Sequence, residues 1–321
     1  MKEIDVSVVI RTYNEERYLD ELLTAIRMQE LGSLRLEVVI VDSGSDDRTL
    51  EIAERHAVRV VRIRKQDFTF GRSLNRGCEA ARGKVLVFAS GHCIPAAKSW
   101  LSELVSPVLD GRVGYSYGRQ LGRDTTKYSE YQVFEKYFPA RSCIPQEGFF
   151  CNNANAALQR ELWKSYRFDE SLTGLEDLEL AQRLVSDGVR VGYVAEASVY
   201  HIHDESWRQV RTRYEREALA MHRILPEMTV GLGSALRYFL AGVLGDLASC
   251  PDFVGGLINL RQILAFRGMQ FWGVFRGYRS HLQLSKAQRE EYFFPARRSG
   301  AAGYAKSDRP VAVKGAQRAC S

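Results

Sequence analysis

Two hydrophobic periods alternate along the N-terminal part of the chain. Short runs rich in Val, Ile and Leu predict buried strands at residues 4–10, 38–41, 58–63 and 85–88. Between these runs, apolar residues recur at helical spacing, which predicts helices over residues 19–26, 45–53 and 71–82. Thr12 and Glu15 have the spacing of a capping box for the first helix, and Ser45 is the predicted N-cap of the second.

This alternation of strands and helices predicts right-handed βαβ units. The expected fold is therefore α/β, with a mostly parallel sheet that helices cover on both faces. Ligands of such sheets bind beyond the carboxyl ends of the strands. The first, second and fourth predicted strands run into residues 12–14, Asp42 and residues 90–92. We therefore expect these polar residues to meet in one crevice.

Regular patterning is weaker in the middle of the chain. Residues 119–150 are rich in aromatic side chains without a clear period, which predicts a loop that covers an acceptor, a small satellite core, or both. Beyond this stretch, the sequence pattern predicts a helix over residues 160–166, a helix that begins at Glu176 and a strand over residues 189–194.

Two helices of mixed character are predicted beyond residue 225. Residues 232–247 and 257–275 combine Leu, Phe, Trp and Tyr with interspersed Arg. Such helices either pack onto the main domain or lie on a membrane surface, and the two interpretations are compatible if the acceptor is lipid-linked. From Pro295 onward the chain is rich in Gly, Ala, Arg and Ser without a period, which predicts a flexible tail.

The composition is that of a globular intracellular protein. The 321 residues are 45% hydrophobic, which is enough for one large core with a smaller satellite. The six cysteines form no Cys-x-x-Cys motif, so reduced thiols are expected. The sequence shows no signal-peptide pattern and no apolar run long enough for a membrane span, which predicts a cytoplasmic location. The net charge of +6 suits a polyanionic partner or is ordinary solubility charge.

Four sequence blocks occur in a fixed order along the chain. They read SVVIRTYNE at residues 7–15, VDSGSDDRT at residues 41–49, FGRSLNRG at residues 70–77 and GLED at residues 174–177. In this order the blocks resemble the family-2 glycosyltransferases, and the resemblance extends over about residues 4–225. It implies a GT-A fold and a nucleotide-sugar donor. One block is altered, because Ser90-Gly91-His92 stands where the family usually carries a metal-binding Asp-x-Asp.

A donor-binding set follows from these blocks. Residues 12–15 offer backbone and short polar groups to a base and ribose, and the Asp42 carboxylate can accept from a pyrimidine imide N–H or a ribose hydroxyl. Arg72 at a predicted helix start either suits an anionic group or is a solvated surface charge. The resemblance implies that Asn75 lies near the donor and that residues 152–153 line the sugar pocket, the alternative being an Asn-rich turn. The predicted donor set is Thr12, Tyr13, Asn14, Glu15, Asp42, Arg72, Asn75, Ser90, Asn152 and Asn153.

The catalytic prediction concerns Glu176 and Asp177. The resemblance implies a direct displacement, in which an acceptor hydroxyl attacks the anomeric carbon and loses its proton to a carboxylate. In the family the Asp of the Glu-Asp pair is this base, which corresponds to Asp177, while Glu176 orients the base or contacts acceptor hydroxyls. Adjacent carboxylates at a helix start also have an electrostatic explanation, since they interact favourably with the helix macrodipole.

Histidines are the candidate metal ligands. His92 can ligate through one imidazole nitrogen, and His201 and His203 lie on the same face of an extended segment. Some GT-A enzymes use Asp-x-His with a distal His, so the resemblance is compatible with a metal that neutralises the leaving diphosphate. Imidazole-rich ligation favours Mn²⁺ or another transition ion over Mg²⁺. A metal-free mechanism stays open, with His92, Arg72 or basic residues at 208–216 as fixed cations.

The resulting prediction is an inverting glycosyltransferase. It moves a sugar from a nucleotide-sugar donor, expected to be uridine-linked, to a hydroxyl of a glycan or lipid-linked acceptor in surface polysaccharide or glycolipid biosynthesis. We expect a GT-A domain over residues 1–225, a helical region over residues 226–294 that faces a membrane surface or the acceptor, and a tail over residues 295–321. No nucleic-acid partner is expected, and the protein is either free in the cytoplasm or peripheral at the cytoplasmic face of a membrane.

Two alternatives remain at this point. An inactive nucleotide-sugar-binding module is suggested by the missing Asp-x-Asp, although the intact Glu176-Asp177 pair argues against it. A nucleotidyltransferase of related fold would bind its triphosphate at a glycine-rich first loop, and residues 12–15 contain no glycine.

Overall fold

The computed structural model describes residues 3–280, 284 and 286–294. The chain separates into two compact units. The N-terminal unit comprises the chain up to Thr126 together with Val133–His203, and the C-terminal unit comprises Lys127–Gln132 and the chain from Asp204 onward. The main division thus falls after His203, whereas the sequence suggested residue 225. The predicted tail over residues 295–321 lies outside the described residues.

The N-terminal unit is built from alternating strands and helices. The strands are β1 (Val6–Thr12), β2 (Leu36–Asp42), β3 (Arg59–Arg62), β4 (Val85–Ser90), β5 (Cys93–Pro95), β6 (Tyr115–Leu121), β7 (Asn155–Gln159) and β8 (Val191–His201). The helices up to this point are α1 (Leu19–Arg27), α2 (Thr49–Arg55), α3 (Phe70–Ala80), α4 (Trp100–Leu109), α5 (Tyr128–Tyr137), α6 (Arg160–Tyr166) and α7 (Glu176–Ser186). The first residues of α5 belong to the C-terminal unit.

The eight strands form one mixed sheet in the order β3-β2-β1-β4-β7-β6-β8-β5. Strands β1 to β4 pair in parallel, and so do β6 and β8, whereas β7 runs antiparallel between β4 and β6, and β5 antiparallel to β8. The registers place Thr12 beside Asp42 and Arg11 beside Ser90. The α/β fold with a mostly parallel sheet is thereby confirmed, and its parallel strands bring the predicted polar residues to one edge.

The core lies on both faces of this sheet, because successive side chains of a strand point to opposite faces. Val8 and Ile10 of β1 belong to one buried cluster together with Leu22 of α1, and Val9 belongs to a second cluster together with Leu74 of α3. Strands buried on both faces read as continuous apolar runs, which is why their positions could be predicted from the sequence.

Both predicted helix caps are wrong. Helix α1 begins only at Leu19, after Tyr18, and α2 begins at Thr49, after Arg48, and neither preceding residue makes a side-chain cap. The Thr12 hydroxyl instead donates to Asp42 over 3.1 Å. These polar residues have partners distant in sequence, which replace the local caps that their spacing suggested.

Residues 119–150 are more regular than their sequence indicated. They contain the end of β6 and all of α5, and the Phe134 and Phe138 rings are buried in the same cluster as Tyr117 of β6. Phe150 lies against this cluster, with its ring 5.5 Å from that of Tyr117. These aromatic side chains therefore pack into one of the two main clusters of the sheet and not into the separate satellite core that the sequence suggested.

The C-terminal unit is helical. It contains α8 (Trp207–Ile224), α9 (Leu232–Ala248), α10 (Phe253–Arg279) and α11 (Lys286–Phe293). Helices α9 and α10 coincide with the two predicted ones, and α10 is longer at both ends. A small core forms around Val243 and Ile263, and the buried Asp246 carboxylate pairs with Arg267 across the two helices at 2.6 Å. None of the helices among the described residues is long and apolar enough to cross a bilayer.

Candidate active site

The loops after β1 and β2 are joined through the Asp42 carboxylate. Its Oδ1 atom accepts from the backbone N–H groups of Gly44 and Ser45 at 3.0 Å, and its Oδ2 atom accepts from the hydroxyls of Thr12 and Ser45. A carboxylate offers about four acceptor positions, so these four bonds saturate it. Asp42 therefore shapes the loop, and the structure does not support its predicted direct hydrogen bond to a nucleoside.

Asn14 and Tyr13 lie on the same loop as predicted. Asn14 has a positive φ of 55°, its N–H donates to the Ser45 hydroxyl at 2.9 Å, and its Oδ1 atom accepts from the N–H of Asp46. The Lys65 ammonium lies 5.5 Å from the centre of the Tyr13 ring. This arrangement places an aromatic ring and a cation side by side, which suits a nucleotide with its base and phosphates.

The carboxylate of Glu15, a predicted donor-binding residue, contacts His92. Its Oε1 atom lies 2.9 Å from His92 Nδ1, at the turn between β4 and β5. Gly91 makes this approach feasible, because a Cβ atom there would lie 2.6 Å from Cγ of Glu15. The glycine of Ser90-Gly91-His92 is therefore a packing requirement. Ser90, half-buried at the end of β4, pairs in register with Arg11.

The three predicted histidines come together, because β5 pairs with β8. Cys93 lies opposite His201 in that pairing, and the N–H of Ile202 donates to the carbonyl of His92 at 3.2 Å. The rings of His92 and His201 are stacked with their centres 5.3 Å apart, and Nε2 of His201 lies 3.0 Å from Nε2 of His203. We call these three residues the histidine cluster. The expectation that His201 and His203 share a face is confirmed.

A chain of amides fixes the orientation of His201. The Nδ1 atom of His201 lies 2.6 Å from Oε1 of Gln120, whose Nε2 atom donates to Oδ1 of Asn152 at 2.9 Å. Because the Gln120 oxygen only accepts, Nδ1 of His201 is the donor of this bond, and Nε2 is the nitrogen that faces the other histidines. Asn152, predicted to bind sugar hydroxyls, thus uses its oxygen to hold Gln120 and the N–H of Ala154.

The histidine cluster fits a divalent transition ion. One ligand nitrogen from each of its three members lies within 4.8 Å of the others. The Nε2 atoms of His201 and His203, 3.0 Å apart, are close enough that one ion could be held by both. Glu15 and Gln120 supply the outer hydrogen bonds that metal-ligating imidazoles characteristically make.

Asp177 and Glu176 begin helix α7 as buried carboxylates. Asp177 is only 7% exposed, and its two oxygens accept from the N–H groups of Asn153 at 2.7 Å and Leu178 at 2.8 Å. Burial, followed by the neighbouring Glu176 charge, raises the pKa of Asp177 to about 7. Glu176 is paired with Arg11, whose Nη1 atom lies 3.0 Å from Oε1.

Two neighbouring asparagines connect the carboxylate to the histidine cluster. Asn153 donates its N–H to Asp177 and accepts from the Tyr115 hydroxyl, while Asn152 reaches His201 through Gln120. The Asn153 side chain is buried, and its Nδ2 atom has no hydrogen-bond partner among the described residues. Asp177 and the histidine cluster are therefore linked through two consecutive residues, 152 and 153.

Two members of the predicted donor set are used elsewhere. The guanidinium of Arg72 pairs with Glu170 at 2.7 Å and also donates to the carbonyl of Asp67. The buried Asn75 amide bonds to Glu170, to the backbone of Phe168 and to the Trp163 indole. Both side chains hold the segment before α7 against α3, so we do not retain them in the proposed donor site.

Three of the basic residues at 208–216 form ion pairs within the C-terminal unit. Arg213 pairs with Glu130 at 2.7 Å and with Glu205 at 2.8 Å. Arg208 pairs with Glu291 at 3.0 Å. These ion pairs weaken the alternative in which these arginines act as fixed cations for a leaving diphosphate.

Sequence reasoning missed two residues of the site, Arg11 and Gln120. Arg11 lies within the first block and pairs with Glu176, far along the chain. Gln120 lies at the end of β6, in a stretch that the hydrophobic pattern left irregular. A charged residue inside an otherwise apolar strand is a signal that could have pointed to Arg11. No comparable local signal marks Gln120.

A protein-family model described as Glycosyl transferase family 2 matches residues 7–167, which is half of the chain. Among curated proteins, the O-antigen chain rhamnosyltransferase RfbN of Salmonella typhimurium is 25% identical over 221 residues, covering 65% of this chain and 70% of the relative. The O-antigen chain rhamnosyltransferase WbaN of Salmonella anatum is 28% identical over 189 residues, covering 56% of this chain and 60% of the relative, somewhat less than two thirds of its length.

Solved structures with the same fold include a mannosyltransferase from Pyrobaculum calidifontis in complex with GDP-Man and Mn²⁺. It aligns with a TM-score of 0.61 at 17% identity, over 86% of this chain and 88% of that one. Residues 1–349 of TarS from S. aureus, in complex with UDP-GlcNAc, align with a TM-score of 0.54 at 16% identity, over 83% and 90%. At 16–17% sequence identity, this structural similarity shows a shared fold and nothing about substrates.

Proposed function

This chain belongs to glycosyl transferase family 2, and we propose that it catalyses inverting transfer of a sugar from a nucleotide-sugar donor to a hydroxyl of a glycan or lipid-linked acceptor. One observation supports the proposal most strongly. A buried carboxylate with its pKa raised to about 7, Asp177, is connected through residues 152–153 and Gln120 to the histidine cluster. This arrangement offers a general base beside a cation-binding site, the two groups that displacement of a diphosphate requires.

In the proposed reaction the acceptor oxygen attacks the anomeric carbon, and its proton passes to a carboxylate oxygen of Asp177. The bond between the anomeric carbon and the donor phosphate oxygen breaks as the new bond forms, and the nucleoside diphosphate leaves with the electron pair. Attack opposite the leaving group inverts the anomeric configuration. Glu176 is paired with Arg11, and the proposed proton acceptor is Asp177, whose pKa burial raises to about 7.

The histidine cluster would hold a divalent cation, which supplies positive charge to the leaving diphosphate. His92, His201 and His203 provide imidazole nitrogens, and phosphate oxygens of the donor would complete a mixed nitrogen and oxygen set. Such a set favours Mn²⁺ or a similar transition ion over Mg²⁺, which prefers oxygen ligands.

The donor and acceptor are proposed from the sequence and from the relatives. The loop formed by residues 12–15 and Asp42 would hold the nucleoside, which we expect to be uridine. Two relatives are named as O-antigen chain rhamnosyltransferases, so a rhamnose donor is the second candidate and a surface polysaccharide the proposed pathway product. A cytoplasmic location is part of the same proposal.

The alternatives are less well supported. Membership of the glycosyltransferase family leaves no role for nucleotidyl transfer. A binding module without activity would not need a buried carboxylate whose pKa is raised towards neutrality, since burying such a group costs free energy.

The proposal is tested by hydrolysis of a panel of nucleotide sugars that includes UDP-linked hexoses, GDP-mannose and a thymidine-linked rhamnose. Purified protein is freed of metal with chelator and then supplied with Mn²⁺, Mg²⁺ or Zn²⁺. We expect slow release of one nucleoside diphosphate with Mn²⁺ and little release with chelator. Release that survives chelation would remove the metal from the proposal and retain the enzyme. No release across the panel, and no transfer to short glycan acceptors either, would contradict glycosyl transfer.

A further inference from the structure

Helices α9 and α10 expose an unusual number of large apolar side chains. Among the described residues, eleven of them on these two helices are between 42% and 80% exposed. Soluble proteins rarely leave so much apolar surface contiguous, and where they do it marks an interaction site. The eleven are Leu232, Leu236, Tyr238, Leu240, Leu244, Phe253, Val254, Leu257, Ile258, Leu264 and Trp272.

These side chains form stripes and are not scattered. On α9 the exposed leucines recur at every fourth position from residue 232 to residue 244, and on α10 Phe253, Leu257 and Leu264 share one side of the helix. Other positions of the same two helices supply the small core around Val243 and Ile263. Each helix is therefore apolar on its buried side and on a second, exposed side, which we call the apolar face.

A cavity opens where α9 ends and α10 begins. It has a volume of about 370 Å³ and is lined by Leu247, Cys250, Asp252, Phe253, Gly256, Leu257 and Leu260. Most of these side chains are apolar, and Phe253 and Leu257 belong to the apolar face as well. The cavity therefore continues the apolar face inward.

The charges around the apolar face are mainly positive. Four arginines are exposed between residues 228 and 280, namely Arg237, Arg261, Arg276 and Arg279, and of these Arg276 is paired with Glu215 at 3.3 Å. The exposed carboxylate in this range is Asp252, and it accepts from the N–H of Gly255 at the start of α10. Asp246 is buried against Arg267. Exposed apolar side chains interspersed with arginine match the apolar interior and the anionic headgroups of a lipid surface.

A second copy of the chain is a poorer match for this face. A two-fold dimer brings the same patch of each copy together, so Arg237 and Arg261 of one copy would approach the arginines of the other. No carboxylate of the described part of α9 or α10 other than Asp252 is exposed to compensate them. A bilayer with anionic lipids compensates the same charges without rearrangement.

We propose that the apolar face of α9 and α10 docks on the surface of an anionic lipid bilayer. The exposed Leu, Phe, Ile and Trp side chains enter the boundary between headgroups and acyl chains, and Arg237 and Arg261 contact lipid phosphates. The helices lie in the surface without crossing it, since neither has the length and apolarity of a membrane span. This inference concerns the location of the enzyme and does not depend on the donor or acceptor.

Sedimentation with sucrose-loaded vesicles tests the proposal on the full chain. Vesicles of phosphatidylcholine are compared with vesicles that contain phosphatidylglycerol at about one third of the lipid. We expect wild-type protein to bind the anionic vesicles at least about tenfold more tightly. The double variant Phe253→Ser/Ile258→Ser should lose about tenfold or more of this binding, since two exposed side chains no longer insert. Arg237→Glu/Arg261→Glu should lose a similar amount, specifically on the anionic vesicles.

Matched variants in the N-terminal unit separate docking from general surface effects. Met28, which is 62% exposed, is replaced by Ser, and the exposed Arg112 and Arg190 are replaced by Glu. We expect these variants to bind vesicles like wild type and all variants to keep the wild-type melting temperature. Wild-type protein that ignores anionic vesicles, or apolar-face variants that bind them unchanged, would overturn the proposal. Dissociation of a dimer by Phe253→Ser/Ile258→Ser with unchanged vesicle binding would assign the face to a second copy.

Discussion

At the scale of single residues, the chemistry of the site depends on how the protein treats two adjacent carboxylates. Glu176 has the Arg11 guanidinium at 3.0 Å, whereas Asp177 is held by backbone N–H groups in a buried position. Burial and the Glu176 charge raise the pKa of Asp177 to about 7. A carboxylate with an ordinary pKa near 3.8 is a weak base at neutral pH, so this shift suits Asp177 to the proton abstraction that we propose.

A pH profile of kcat/KM tests this assignment. A general base is active only when it is deprotonated, so activity should be low at pH 5, rise through an apparent pKa near 7 and level off above it. Replacing Arg11 by Met removes the cation that lowers the pKa of Asp177, so the rise should move to higher pH. Arg112→Met, on the surface, should leave the profile unchanged. A wild-type profile that is flat between pH 5 and 8 would argue against Asp177 as the base.

The local hydrophobic pattern of the sequence located some of the predicted donor residues in the fold but not others. Thr12, Asp42 and Ser90 end neighbouring strands, and the periodic apolar runs before them allowed this to be predicted. Glu15 could not be assigned in this way, because its partner His92 lies far along the chain and is reached only once the sheet has formed. Hydrogen bonds of high sequence separation leave no periodic signal.

At the scale of elements, the sequence predicts three neighbouring strands of the sheet, β1, β2 and β4. It does not give the bounds of three others, β5, β6 and β7. The first three are continuous apolar runs, which is typical of strands buried on both faces. Strand β5 has three residues, and β6 reads YSYGRQL, with polar residues throughout. Such strands are defined by their pairing with β7 and β8, and pairing partners are not encoded in the local period.

The irregular pairing of β6 with β8 is the feature that places Gln120. The register shifts between Gly118 and Gln120, where a Cβ on Gly118 would lie 2.1 Å from the carbonyl oxygen of Ala197. Irregularities of this kind redirect a side chain and are common beside active sites. The side chain of Gln120 thereby reaches Nδ1 of His201.

Replacing Gln120 by Leu should weaken metal binding without unfolding the protein. The variant removes the acceptor that fixes the His201 tautomer, and loss of such an outer hydrogen bond typically costs about 10–100-fold in metal affinity. Titration of metal-free protein with Mn²⁺, followed by calorimetry, measures this directly. Gln159→Leu, at an exposed position of β7, serves as the control and should bind Mn²⁺ like wild type. Equal affinity for all three proteins would exclude Gln120 from the metal site.

At the scale of the whole molecule, the site extends beyond the part of the chain that the family model matches. That match ends at residue 167, whereas Asp177, His201 and His203 follow it. Helix α7 and strand β8 belong to the same compact unit as the matched residues, which ends at His203. The compact unit that holds these residues ends at His203, whereas the sequence suggested residue 225, where the helices of mixed character begin.

The C-terminal unit has a different character from the N-terminal one. Its core is small, its buried Asp246 and Arg267 pair across two helices, and large apolar side chains remain exposed. The helices themselves could be predicted from the sequence, but their exposure could not, since an apolar stripe has the same period whether it faces a core or a lipid surface.

The central claim is that Asp177 and the histidine cluster serve different parts of one transfer reaction. The measurement that tests it most directly compares nucleoside diphosphate binding and donor turnover in Asp177→Asn and His201→Ala, with Asp187→Asn at the end of α7 as the control. We predict that Asp177→Asn keeps Mn²⁺-dependent nucleotide binding and loses turnover by at least about a hundredfold. His201→Ala should lose the Mn²⁺-dependent part of nucleotide binding. The control Asp187→Asn should resemble wild type in both measurements. Wild-type turnover by Asp177→Asn would contradict the account.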